Sequence, residues 1–130
     1  MVLEVISLAI SSISVLVAVI TFLITHHRTK KVETIQQLDS IFDRYYTINK
    51  KSIKELYMPW VALLSKVERF AAAYNGGVLD KKTVKQRAST FLCKLYDERL
   101  EKLIEERRVQ FHKSDYYMNT EMMIKKLRRK

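Results

Sequence analysis

VISLAISSISVLVAVITFLI, running from Val5 to Ile24, is the stretch on which the reading of this chain turns. Its 20 residues carry no charge: 13 are Val, Ile, Leu or Phe, two are Ala, four are Ser and one is Thr. A helix rises about 1.5 Å per residue, so the run spans the ~30 Å hydrocarbon layer of a bilayer. The large apolar residues favour insertion by roughly −4 to −8 kcal/mol, more than the hydroxyls take back. A cleaved secretory signal would show a basic leader and a shorter apolar core, whereas here the leader carries Glu4 and the cations follow the run. A buried core helix is the other alternative, and a chain of 130 residues is too small to surround a helix that is apolar on most sides. The stretch reads as a single transmembrane anchor, lying within residues 1–27.

Outward from that anchor the charge is lopsided. His26, His27, Arg28, Lys30 and Lys31 crowd the C-terminal edge, while the N-terminal edge offers Glu4 and the α-amino group. Positive flanks stay on the cytoplasmic side, which predicts a single-pass protein of the inner (cell) membrane with its N-terminus outside and its C-terminal domain in the cytoplasm. All 24 Lys and Arg residues lie at or after Arg28, against 13 of the 14 acidic residues, so this part carries +11. Such a charge calls for an anionic partner, either the lipids of the inner leaflet or nucleic acid, and the anchor favours the leaflet. Cys93, the sole cysteine, excludes an internal disulfide and a multi-cysteine metal site and reads as a packing residue.

Within the anchor, Ser7, Ser11, Ser14, Ala18, Thr21 and Thr25 follow one another at spacings of 4, 3, 4, 3 and 4, which puts all six on one helical face. Small residues let helix backbones approach closely, and hydroxyls can bond across the contact for about 0.6 kcal/mol each. Self-association or a partner membrane helix is therefore expected on this face. The alternative is that the hydroxyls satisfy themselves on their own backbone. The same spacing continues through Arg28, Val32, Ile35, Asp39, Phe42, Tyr46, Asn49, Ile53 and Leu56, mostly apolar, and predicts one long helix whose seam is either paired between copies or covered by the rest of the domain.

With two glycines and one proline in the whole chain, the fold class is all-α. The transmembrane helix is expected to lead into an antiparallel helical hairpin or small bundle over 28–113. The first helix should end or kink at Met58 and Pro59, and a second should bury Trp60, Leu63, Leu64, Val67, Phe70, Ala71 and Tyr74, with Lys66, Glu68 and Arg69 outward. Asn75, Gly76 and Gly77 suit a left-handed cap, Val78 and Leu79 fold back, and Asp80 is placed to cap a third helix bearing Val84, Ala88, Phe91, Leu92 and Leu95. Two continuations stay open: a run through Leu100, Leu103, Ile104 and Phe111, or a break near Tyr96 and Asp97. Residues 114–130 read as a basic tail or short helix, with Met123, Ile124 and Leu127 on one side and an end expected to be mobile.

Trp60, the run Glu68, Arg69, Phe70 and Ala71, the turn from Tyr74 to Asp80, and the segment Leu100 to Arg108 together resemble a family of small bacterial membrane-anchored helical proteins sharing a domain of unknown function. The likeness covers about half of the chain. It implies the fold, an anchor and a bacterial or phage origin, and it carries over no active site.

Chemistry is sparse. Glu98, Glu101 and Glu105 share a helical face, yet no Glu is followed three residues later by the His that carboxylate-bridged metal sites in bundles use. Arg99, Lys102, Arg107 and Arg108 interleave with Asp97, Glu98, Glu101, Glu105 and Glu106, the pattern of a solvated ion-pair face. Neither an activated nucleophile nor a phosphate-cradling glycine loop can be assembled, so no catalytic residue, metal or cofactor is expected. Two basic clusters stand out as candidate anionic-surface binders. Lys81, Lys82 and Lys85 begin a helix where the dipole disfavours cations, and Lys125, Lys126, Arg128, Arg129 and Lys130 close the chain. The reading that follows is a non-enzymatic, membrane-tethered interaction module that docks anionic lipid or an acidic protein. Two readings stand beside it: a pore-forming or membrane-perturbing effector of phage or host defence, and a nucleic-acid tether at the membrane.

Overall fold

A computed structural model describes residues 1–50 and 57–129, with the side chains of Asn49 and Lys50 left aside. Among the described residues the chain is all-α, four helical rods in sequence. The first, α1, runs unbroken over Val2–Lys50. The second, α2, spans Tyr57–Asn75. The third rod comprises α3 over Lys81–Leu95, a π-helical turn over Tyr96–Leu100 and α4 over Glu101–Phe111. The last, α5, spans Met118–Arg128.

The N-terminal part of α1 stands alone. Its apolar run, long and hydrophobic enough to cross a membrane at a mean hydropathy of 2.5 over 18 residues, has none of that window buried. Burial begins only beyond Thr29. From there Thr34, Leu38, Ile41, Tyr45 and Ile48 meet the bundle, Tyr45 half-buried and the others buried. The predicted seam is therefore displaced by one residue: Val32 and Tyr46 lie 54% and 59% exposed. Ile35 and Phe42 are half-buried and Asp39 is exposed, while Ile53 and Leu56 of that seam lie outside the described residues. The hydroxyl stripe and the packing face lie on opposite sides of α1, so a seam extrapolated from Ser7 arrives about one residue, or about 100° of turn, away from the face that packs.

The core forms where α2 and α3 lie against that face. Trp60, Leu63, Leu64, Val67, Phe70, Ala71 and Tyr74 are buried along α2, and Val84, Ala88, Leu92 and Leu95 along α3, as the patterning predicts. Phe91 packs edge-on to Phe42 and Tyr45 of α1 at centroid distances of 4.6 and 5.2 Å. No helix ends at Met58: α2 is already under way at Tyr57, and Pro59 occupies its first turn, where a missing N–H costs nothing. At the other end Gly77 takes φ +76°, with Val78 N–H bonded to Ala73 O and Gly77 N–H to Tyr74 O, a Schellman cap.

The third rod runs on past Tyr96 by means of the π turn. Leu95 and Leu100, both buried, are five residues apart, one more than a helical turn bridges. The wider i to i+5 bonding of this turn, as in Glu101 N–H to Tyr96 O, absorbs the extra residue and returns Leu100, Leu103 and Ile104 to the core side. Phe111, grouped with them by pattern, is 42% exposed.

The C-terminal segment is docked rather than loose. Met123, Ile124 and Leu127 of α5 are buried, each contributing roughly 1.5–3 kcal/mol. The Glu68 carboxylate of α2 accepts the Thr120 N–H at 2.8 Å and the Thr120 hydroxyl at 3.0 Å, supplying the N-terminal cap that Tyr117 cannot. Glu121 pairs with Arg108, and Arg128 with Asp97.

Candidate interaction surface

Three contacts fix how the bundle sits along α1. Trp60 of α2 lies 6.3 Å from Tyr45, the Lys66 ammonium donates to Ser40 Oγ at 2.6 Å, and the Asp80 N–H donates to Thr34 Oγ1 at 2.9 Å. As α2 and the turn after it advance, their partners on α1 step back toward the apolar run. The α2–α3 turn is thus the end of the bundle nearest that run. Thr34 is fully buried and satisfied on both sides, since its hydroxyl also donates to Lys30 O at 2.8 Å.

The hydroxyl stripe occupies the opposite side of α1. At 100° per residue, Ser7, Ser11, Ser14, Ala18, Thr21 and Thr25 centre about 180° from the face that carries Thr34, Leu38, Ile41 and Ile48. All six are exposed, and nothing in the bundle overhangs them. Ser14 returns its hydroxyl to Ile10 O at 3.0 Å, as does Ser12, off the stripe, to Leu8 O at 2.9 Å. Such back-bonds leave the oxygen free to accept a second bond across a helix contact.

The two basic clusters are not brought together. Lys81, Lys82 and Lys85 are exposed at the start of α3, beside the turn that touches Thr34, and the Lys81 ammonium sits 5.7 Å from the Tyr74 ring centroid. Tyr74 itself is buried, which raises its phenol above the usual value. Lys125, Lys126, Arg128 and Arg129 lie at the far end of α5, where Arg128 is held by Asp97 and stacks 5.7 Å over Tyr96. Lys130 lies outside the described residues. Asp80 is the N-cap of α3, and its carboxyl is held below the ordinary 3.8, first by the Thr83 hydroxyl at 2.7 Å, with His27 of α1 adding a Coulombic pull.

Several aromatic side chains and Cys93 are packing groups. Tyr45 lies between Phe91 and Trp60, Tyr116 packs edge-on to Phe111 and at a tilt against Tyr117, and Cys93 leans on the core. Among the described residues no three His, Cys, Asp or Glu side chains converge as a metal site. Glu98 is within 4.0 Å of Lys94 on an exposed face. Glu68, placed by pattern on the outward side of α2, is the cap of α5, a role 52 positions away in sequence that no local pattern signals.

Residues 8–127 match the domain of unknown function DUF4760. The match runs from the apolar helix to the end of α5, taking in both parts of the molecule. No curated protein and no solved structure matches the chain.

Proposed function

The chain belongs to the DUF4760 family, a domain of unknown function, and from its own geometry we propose that it is a non-enzymatic, membrane-tethered helical interaction module. One observation carries the reading. A single uninterrupted helix, Val2–Lys50, is bare and apolar over its first half and a wall of the bundle over its second, so anchor and domain are one continuous piece. The cations at His26 to Lys31 against Glu4 favour a single pass through the inner membrane of a bacterial cell, N-terminus outside and bundle in the cytoplasm.

In this reading the hydroxyl stripe is the contact surface. It faces away from the bundle, so a second copy or a partner helix can approach without displacing the domain. The test is thiol crosslinking of the full chain in its own membranes, in a Cys93→Ser background. Ser14→Cys on the stripe is expected to trap a dimer or a partner adduct, and Leu16→Cys on the opposite side is expected to trap none. Equal yields at the two positions, or no adduct at either, would remove the basis for contact through the stripe. Collapse of the membrane potential on expression, abolished by Ser11→Leu with Ser14→Leu, would instead support the effector reading.

A further inference from the structure

Beneath the α2–α3 turn the structure gathers cations from two elements, and we propose that this corner binds anionic phospholipid headgroups, giving the domain a second contact with the leaflet beside α1. The proposal rests on the tether reading and adds to it where the bundle meets lipid.

Thr34, to which the turn is bonded, lies ten residues beyond Ile24, about 15 Å along the helix from the end of the apolar run. The headgroup zone fills about 5–8 Å of that distance, and a further Debye length of about 8 Å covers the rest. Lysines at this level therefore feel the leaflet's surface potential. On α1, His27, Lys30 and Lys31 point within about 60° of the Thr34 direction, toward the underside of the bundle rather than away from it. Lys30 is half-buried there. Lys81 and Lys82 come from the start of α3 and are exposed.

Asp80 in the turn is already engaged by the Thr83 hydroxyl, Glu33 is exposed and turned about 100° round α1 from Thr34, and the four lysines Lys30, Lys31, Lys81 and Lys82 leave the corner positive. Val78, in the same turn, is 57% exposed, and a side chain added at Gly77 would meet nothing within 4 Å. An apolar tip flanked by lysines matches the boundary between headgroups and acyl chains. The basic end of α5 offers no such match: it lies at the opposite end of the bundle, with Arg128 spent on Asp97.

The experiment uses the full chain, Cys93→Ser with Val78→Cys, labelled at position 78 and reconstituted into vesicles containing a headgroup-linked quencher. Quenching is expected in phosphatidylcholine vesicles enriched in phosphatidylglycerol and only weakly in phosphatidylcholine alone. Lys81→Gln with Lys82→Gln should lower the ratio of contacted to free turns about 30-fold, at about 1 kcal/mol per lysine, whereas Lys125→Gln with Lys126→Gln should leave it unchanged. Inorganic phosphate at constant ionic strength should not compete. Quenching that ignores lipid charge, or that survives loss of Lys81 and Lys82, overturns the assignment, and displacement by phosphate makes the corner a free-anion site instead. A chain stripped from vesicles by alkaline carbonate takes the tether reading down with it, while a retained chain with position 78 unquenched overturns the second contact alone.

Discussion

The two halves of α1 share one backbone and little else. From Val2 to Thr29 every residue is exposed, and hydrophobic side chains point in nearly all directions. From Lys30 to Ile48 burial recurs every three or four positions on one face, with Gln36, Asp39, Asp43 and Thr47 on the other. The second half is held by its neighbours: packing of an amphipathic face, not propensity, is where most helical stability comes from. The first has no neighbours in the chain, so its apolar surface needs an environment outside it. The contrast teaches that solvent, rather than sequence continuity, divides this helix in two.

Substitutions should respect that division. The largest effect is expected for Leu38→Ala combined with Ile41→Ala, at about 2–5 kcal/mol for each truncation. Thermal unfolding of the solubilised chain should drop steeply while membrane retention is unchanged; a parallel loss of retention would break the comparison. Val17→Arg comes next, weakening insertion by about 2.5–3.5 kcal/mol at the centre of the apolar run. More of the chain should become extractable by alkaline carbonate, and the bundle should melt in detergent at its usual temperature. Smallest is a pH effect on the bundle half alone. The Asp80 carboxyl is lowered in the folded chain, so its contribution is complete above the ordinary value of 3.8 and is lost as pH falls through the depressed one. Asp80→Asn should flatten that part of the stability profile, and a variant that keeps the full acid dependence would assign it elsewhere.

Much of the fold was legible in the sequence because its signals are local. The burial of Trp60 to Tyr74 follows from a 3.6-residue period, and the Gly77 cap from the one residue type that takes a positive φ freely. What was not legible depends on partners distant in sequence. Nothing near Glu68 announces that it caps a helix beginning at Met118, or that α2 and α3 are the surfaces on which α5 docks. The π turn was encoded in the five-residue step from Leu95 to Leu100, a phase error that a search for regular helices reads as an end. For the hydroxyl residues a shared helical face was readable from their spacing, but the arrangement of the basic residues was not. The stripe emerged whole, while the separation of Lys81 and Lys82 from Lys125 and Lys126 to opposite ends of the bundle needed the third dimension.

The absence of any break between Val2 and Lys50 has a mechanical meaning. From Ile24 to Lys50 the helix extends about 39 Å, so with the apolar run spanning a bilayer as proposed, a tilt of about 20°, ordinary for membrane helices, would swing its far end sideways by about 13 Å. Since α1 is also a wall of the bundle, the whole domain moves with it as a lever. A bilayer that thins and obliges the apolar run to lean would reposition every surface the bundle presents, without altering a single contact inside it.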